Sequence, residues 1–191
     1  MSESMTGSTA VDSPSDRLAA LQRGTNTAEA LAFFDSLEPV TIDALRGRWR
    51  GSELPTGHPL EGLLERYGWY GKEFIDAETV HPLLFQDAGG TIVTIDPRKL
   101  PMNVAPHVPR AAGAVARHAL SVLDPLIGTD KPRARLRNVE CRGKVGATMI
   151  YDHLPINDVF RRVDDDTVLG LMDRRGDPVP FFFVLRRDRS G

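Results

Sequence analysis

The run Gly47-Arg48-Trp49-Arg50-Gly51 and the closing run Phe181-Phe182-Phe183-Val184-Leu185-Arg186-Arg187 constrain the fold of this chain more than any other feature. A tryptophan between glycines lets a first strand bend sharply or approach another backbone closely. Alternation along the last run puts Val179, Phe181, Phe183 and Leu185 on one face and Phe182, Val184 and Arg186 on the other. Both faces are apolar, so one must line an interior and the other must lie under a helix. A small closed β-barrel satisfies both demands, with the indole as plug at one mouth and the aromatic strand along the inner wall. Arg186 or Arg187 is then placed to cross the face of Trp49, a contact that contributes about 0.5–2 kcal/mol.

The periodicity between these runs supports that reading. Segments 45–54, 79–86, 91–96, 133–142, 144–152, 158–163, 167–173 and 179–187 alternate or are continuously apolar, and each reads as a strand. Gly89-Gly90, Arg142-Gly143, Asp164-Asp165-Asp166 and Arg175-Gly176-Asp177-Pro178 stand where hairpins need turns. Three helices are expected. One starts at Asn26, with Glu29 completing a capping box and Leu31, Phe34 and Leu37 as its stripe, and ends before Pro39. A second spans 59–67 and stops at Gly68, and a third spans 109–124. The fold class is therefore mainly β with accessory helices, an antiparallel barrel of about eight strands capped by about three helices. The first 20 residues, with almost nothing to bury through about Asp16, are expected to form a disordered tail, which leaves 21–191 as a single barrel domain.

Bulk chemistry narrows the functions. A net charge of -2 and a pI near 6.2 give no global attraction to nucleic acid. The single cysteine, Cys141, rules out an internal disulfide and fits a cytoplasmic setting. No stretch is long and apolar enough for a membrane-spanning helix, and His58, His81, His107, His118 and His153 lack metal-ligand spacing.

Candidate functional residues follow from the barrel. In the segment from Lys144, Val145, Ala147, Met149 and Tyr151 share the face expected to look inward. A ligand-binding interior would be lined by Met149, Tyr151, Phe160, Met172, Phe181 and Phe183, with Lys72, after the expected turn Gly68-Trp69-Tyr70-Gly71, or an arginine at the entrance. The same side chains could equally fill a solid core, and Trp49 could belong to the pocket or serve as plug. The cluster from Tyr151 to Asp158 offers an enzymatic alternative. Asp152 or Asp158 would act as general base on an apolar carbonyl or acyl substrate, with Tyr151 or His153 orienting it. Arg133, Arg135 and Arg137 form a row on one strand face, either solvated or receiving an anionic headgroup.

Gly47-Arg48-Trp49-Arg50-Gly51 together with Gly68-Trp69-Tyr70-Gly71-Lys72-Glu73-Phe74 resembles the bacterial GXWXG domain, over about 40–100. The segment of about 130–188, with Arg142-Gly143-Lys144, Met149-Ile150-Tyr151-Asp152, Leu154-Pro155-Ile156-Asn157-Asp158, Leu169-Gly170, Met172-Asp173 and Pro180-Phe181-Phe182-Phe183, is similar to the domain of unknown function that accompanies it. The resemblance implies a calycin-like barrel that binds a lipid or other hydrophobe, and it brings no catalytic residues. Nitrobindin, a haem-binding barrel, shares the Gly-x-Trp-x-Gly opening. Its motif continues with a further glycine where this chain has Ser52-Glu53, and its axial histidine near the carboxyl end has no counterpart here. The leading expectation is an intracellular carrier for a lipid or fatty-acyl ligand with no cofactor and no metal, with a homodimer as a further expectation. A small enzyme and a haem barrel are the alternatives.

Overall fold

Eight strands close into a ring through consecutive antiparallel pairings in the computed structural model, which describes residues 12–87, 89–99 and 127–190. Numbered along the chain, the strands are β1 (Glu38–Pro39), β2 (Gly47–Glu53), β3 (Trp69–Phe74), β4 (Val80–Gln86), β5 (Ile92–Thr94), β6 (Ala134–Cys141), β7 (Lys144–Tyr151), β8 (Ile156–Arg162), β9 (Thr167–Arg174) and β10 (Phe181–Arg187). The ring runs β2-β3-β4-β6-β7-β8-β9-β10 and returns to β2, an up-and-down barrel in which each strand lies beside its sequence neighbours. The two-residue β1 adds to β8, and β5 adds to β4 outside the ring. Among the described residues the thinnest closure is the one where β4 meets β6 through the single registered pair Val80 and Ala134.

The runs that predict a barrel also close it. Phe183 pairs with Glu53, Leu185 with Gly51 and Arg187 with Trp49, so first and last strands are joined side by side. The inward faces stack in layers. Trp49, 1% exposed, fills one end, donates its indole N–H to the Leu45 carbonyl at 2.6 Å and carries the Arg187 guanidinium 4.3 Å above its ring. In the next layer the Trp69 ring takes the space beside Gly51, where an added Cβ would lie 2.3 Å from it. Gly51 thus makes room for a second tryptophan.

The outer face of the same strands meets the helices. Phe182 and Val184 pack with Leu169, Leu171, Val159 and Leu54 beneath α1 (Pro14–Leu21) and α2 (Thr27–Ser36), where Phe34 meets Phe182 edge-on at 6.2 Å. The molecule therefore has two apolar layers, one inside the barrel and one outside it.

Several expectations are corrected. Residues from Pro14 to Ala20 are helical instead of belonging to a disordered tail, because Ser13 and Asp16 form a reciprocal capping box and Leu18 is buried in the outer layer. Asn26 does cap α2, accepting from Glu29 N at 3.0 Å, but the Glu29 carboxylate takes the Thr25 hydroxyl instead of completing a box. The 59–67 helix shrinks to α3 (Leu63–Arg66), because Gly62 adopts the left-handed conformation at φ 75° just before it. Gly68 ends the turn after α3, but Trp69-Tyr70-Gly71 begins strand β3 instead of continuing that turn: Gly71 lets the Trp49 backbone approach so closely that a Cβ would sit 1.9 Å from the Trp49 carbonyl oxygen. Val145 is 60% exposed instead of facing inward, since it stands beside the hairpin at the rim. The 109–124 helix lies outside the described residues.

Candidate functional site

The barrel interior is filled from the Trp49 end upward and leaves space near the other mouth. Phe160 meets Phe74 and Phe183 edge-on at 5.7 and 6.2 Å, and Trp69 meets Phe183 at 5.8 Å, a lattice of rings with little room between them. Above it lies a cavity of about 40 Å³. Its walls include Trp69, Leu83, Tyr151, Met172, Phe181 and Phe183, and its roof is Leu60, Leu63 and Leu64 from the segment between β2 and β3.

Two charged side chains enter this apolar space. Lys72 and Asp158 are 3% and 1% exposed, and Lys72 Nζ lies 2.8 Å from Asp158 Oδ2. A second proton of the ammonium goes to the Pro82 carbonyl at 3.1 Å, and the faces of Phe183, Trp69 and Tyr151 surround the charge at 4.9, 5.7 and 5.8 Å. The aromatic faces supply negative potential to a cation removed from water. Asp158 is less completely served. Its Oδ1 is buried and has no hydrogen-bond partner among the described residues. Burial pushes the Asp158 carboxyl above the usual carboxylate range against the pull of Lys72, and it pushes the Tyr151 phenol well above 10, assisted by the Asp158 charge.

Local sequence explains how each partner arrives. On β8, Ile156, Asp158 and Phe160 alternate inward, so an aspartate is carried among apolar neighbours by the period of the strand. On β3 the pairing with β4 slips twice. An extra residue sits on β3 between Trp69 and Gly71, and an extra one sits on β4 between Gly71 and Glu73. The irregularity lets both Trp69 and Lys72 turn into the barrel although three positions separate them.

The roof is held by another buried carboxylate. Glu53, at the end of β2 and 7% exposed, accepts from the backbone N–H groups of Gly62, of Leu64 at 2.8 Å and of Glu65 at 3.3 Å. Burial raises the Glu53 pKa above its ordinary value, partly offset by these donors. His58 at the foot of the roof accepts from Leu60 N through Nδ1 at 3.1 Å and meets Phe181 edge-on at 5.3 Å.

Of the residues singled out in the sequence, Lys72, Tyr151, Asp158, Met172, Phe181 and Phe183 converge on the cavity. Trp49, Met149 and Phe160 belong to the packed core and are not among the cavity walls. Lys72 is not at an entrance but inside, because the carboxylate that neutralises it comes from the opposite side of the ring. Asp152 is turned outward on the hairpin after β7, with Arg135 3.9 Å away. The arginine row is matched to acids, Arg133 to Asp96 at 2.8 Å and Arg137 to Glu78 at 2.8 Å, and so forms a neutralised strand face. Glu53 and the leucine roof were missed. Their signal was present as a carboxylate on the inward period of β2 followed by Leu60, Leu63 and Leu64.

Residues 32–90 match the family model described as GXWXG protein, and residues 132–187 match that described as Domain of unknown function (DUF4334). A solved protein described as "Crystal structure of protein from Thermomonospora curvata" is 36% identical to this chain, with a TM-score of 0.68, over 92% of this chain and 99% of that one. The chain carries a GXWXG domain and a DUF4334 domain. No curated protein matches it. The two matched domains are not separate bodies: the first supplies β2 to β4, the second β6 to β10, and the ring closes only when they pair. Lys72 comes from the first segment and Asp158 from the second, so the charged site exists only in the joined barrel. Among the described residues no helix is long and apolar enough to cross a membrane, and no cluster of His, Cys, Asp and Glu is arranged to hold a metal ion.

Proposed function

We propose that this barrel binds a small, mostly apolar molecule beneath the leucine roof, with the polar end of the ligand against Lys72 and Asp158. The observation that carries this reading is the wholly buried ion pair opening on an apolar cavity. Taking two charges out of water costs several kcal/mol per ion, and apolar residues of the same volume are often as stable or more so. A pair retained on the inner wall is better explained by recognition than by stability. Size is the second constraint. Pockets for drug-sized molecules run to roughly 300–1,000 Å³, whereas this cavity is about 40 Å³. A lipid or fatty-acyl chain therefore needs Leu60, Leu63 and Leu64 to swing aside, and compact molecules need less movement.

Native mass spectrometry of purified protein, followed by extraction and a melting-temperature screen over small apolar compounds, tests the proposal. A bound mass or a ligand-dependent rise is expected in the natural protein and not in Leu64→Trp, which fills the space. Absence of both, in the natural protein, would sink the idea.

A second reading is an enzyme acting on an apolar carbonyl or acyl substrate, supported by the Asp158 carboxyl, whose pKa is raised beside Tyr151 and the cavity. It narrows to these two residues, since Asp152 lies outside. Turnover lost in Asp158→Asn and retained in Asp152→Asn is its expected signature; equal rates in both variants would remove it.

A further inference from the structure

The unpartnered oxygen of Asp158 has a consequence for the kind of head group this cavity takes, and the inference rests on the binding reading above. Lys72 already has an anion at 2.8 Å and a carbonyl at 3.1 Å, with aromatic faces around the remainder of its surface. Asp158 has a cation on Oδ2 and, among the described residues, no hydrogen-bond partner on Oδ1. The local charge is thus balanced, and the fully buried polar atom left unpartnered on this pair is an acceptor. A buried carboxylate oxygen without a donor is costly, and a ligand that supplies the donor recovers that cost. A second carboxylate brought to the same place supplies no donor, adds a like charge beside Asp158 and loses its own hydration.

We infer that the cavity selects apolar molecules carrying a neutral hydrogen-bond donor, above all a hydroxyl, and discriminates against apolar carboxylates of the same size, with Asp158 Oδ1 as the acceptor that sets the preference. Leu83, Met172, Phe181 and Phe183 offer only apolar surface to the body of such a molecule, and Tyr151 is the lining residue that carries a hydroxyl. Free fatty acids then rank below the corresponding alcohols.

Benzyl alcohol, benzoate and toluene share one ring and differ in the head group, so calorimetric titration of the full chain with each reads the preference directly. Benzyl alcohol is expected to bind at least tenfold more tightly than benzoate. In Asp158→Asn the cation of Lys72 loses its counter-charge and one carboxylate oxygen gives way to an amide donor, so the order is expected to shift toward benzoate. Should that variant fail to fold, the comparison on the unaltered protein still decides the matter. Benzoate binding as tightly as benzyl alcohol, or toluene binding while the alcohol does not, overturns the inference and leaves the binding proposal standing. Failure of all three compounds to bind overturns the inference, while the bound mass and the melting-temperature screen decide the binding proposal separately.

Discussion

At the scale of single residues, the Lys72 and Asp158 pair is the point where stability and recognition pull apart. Lys72→Met leaves a buried carboxylate with no counter-charge, a change expected to cost about 3–5 kcal/mol, whereas Lys72→Met with Asp158→Leu is expected to be near neutral or stabilising. Urea unfolding of the single and double variants measures both. Asp96 shows the opposite electrostatic regime. It is buried, bonded to Arg98 at 2.6 Å and paired with Arg133 at 2.8 Å, and these partners, led by the Arg98 hydrogen bond, hold its carboxyl well below 3.8. Because the folded pKa is depressed, the stabilisation is present above the unfolded value and is lost as pH falls through it toward the folded one. The natural protein is therefore expected to lose stability from about pH 4 downward more steeply than Asp96→Asn, as followed by denaturant midpoints across acid pH. At this scale the sequence named Lys72 and Asp158 separately but not as partners, since nothing local to Gly71-Lys72-Glu73 tells which strand will face it.

At the scale of elements, β3 and the roof show why alternation alone misplaces a side chain. Regular period two puts Trp69 and Lys72 on opposite faces, yet both are inside because the pairing with β4 is irregular. That irregularity accompanies the close approach of Gly71 to the Trp49 backbone, a contact between two strands that neither strand contains by itself. The roof is tied down by a comparable long-range bond, the Glu53 carboxylate accepting from Gly62, Leu64 and Glu65 at the start of α3. Loss of a cap of this kind typically costs about 1 kcal/mol. Glu53→Ala is thus expected to speed amide exchange at Leu64 and Glu65 several-fold while exchange in β7 and β8 stays unchanged, measurable by hydrogen–deuterium exchange. Uniform acceleration across the barrel would mean that Glu53 supports the whole fold and not the roof.

At the scale of the whole molecule, the barrel has an apolar outer face that α1 and α2 cover, and the fold depends on that cover. Phe34 is fully buried against Phe182 and the Arg161 guanidinium, which lies 4.8 Å over its ring. Phe34→Ala is expected to cost about 3–5 kcal/mol by chemical denaturation. A chain beginning at Leu37 bares Leu54, Val159, Leu169, Leu171, Phe182 and Val184 and is expected to aggregate or bind hydrophobic dye, where the full chain does not. The sequence by itself determined much of this architecture. Short alternating segments, hairpin turns and a last strand apolar on both faces already required a barrel with a helix outside it, and Trp49 with a late arginine already marked the plugged end, now seen as Arg187 over the indole. These features are local, written in the period and chemistry of one strand at a time. Only the tertiary structure decided where the interior is solid and where it is open, and that Lys72 and Asp158 meet there. Cavity volume is the small remainder after many side chains are packed, and an ion pair across a ring is fixed by closure, which joins residues that no sequence window contains.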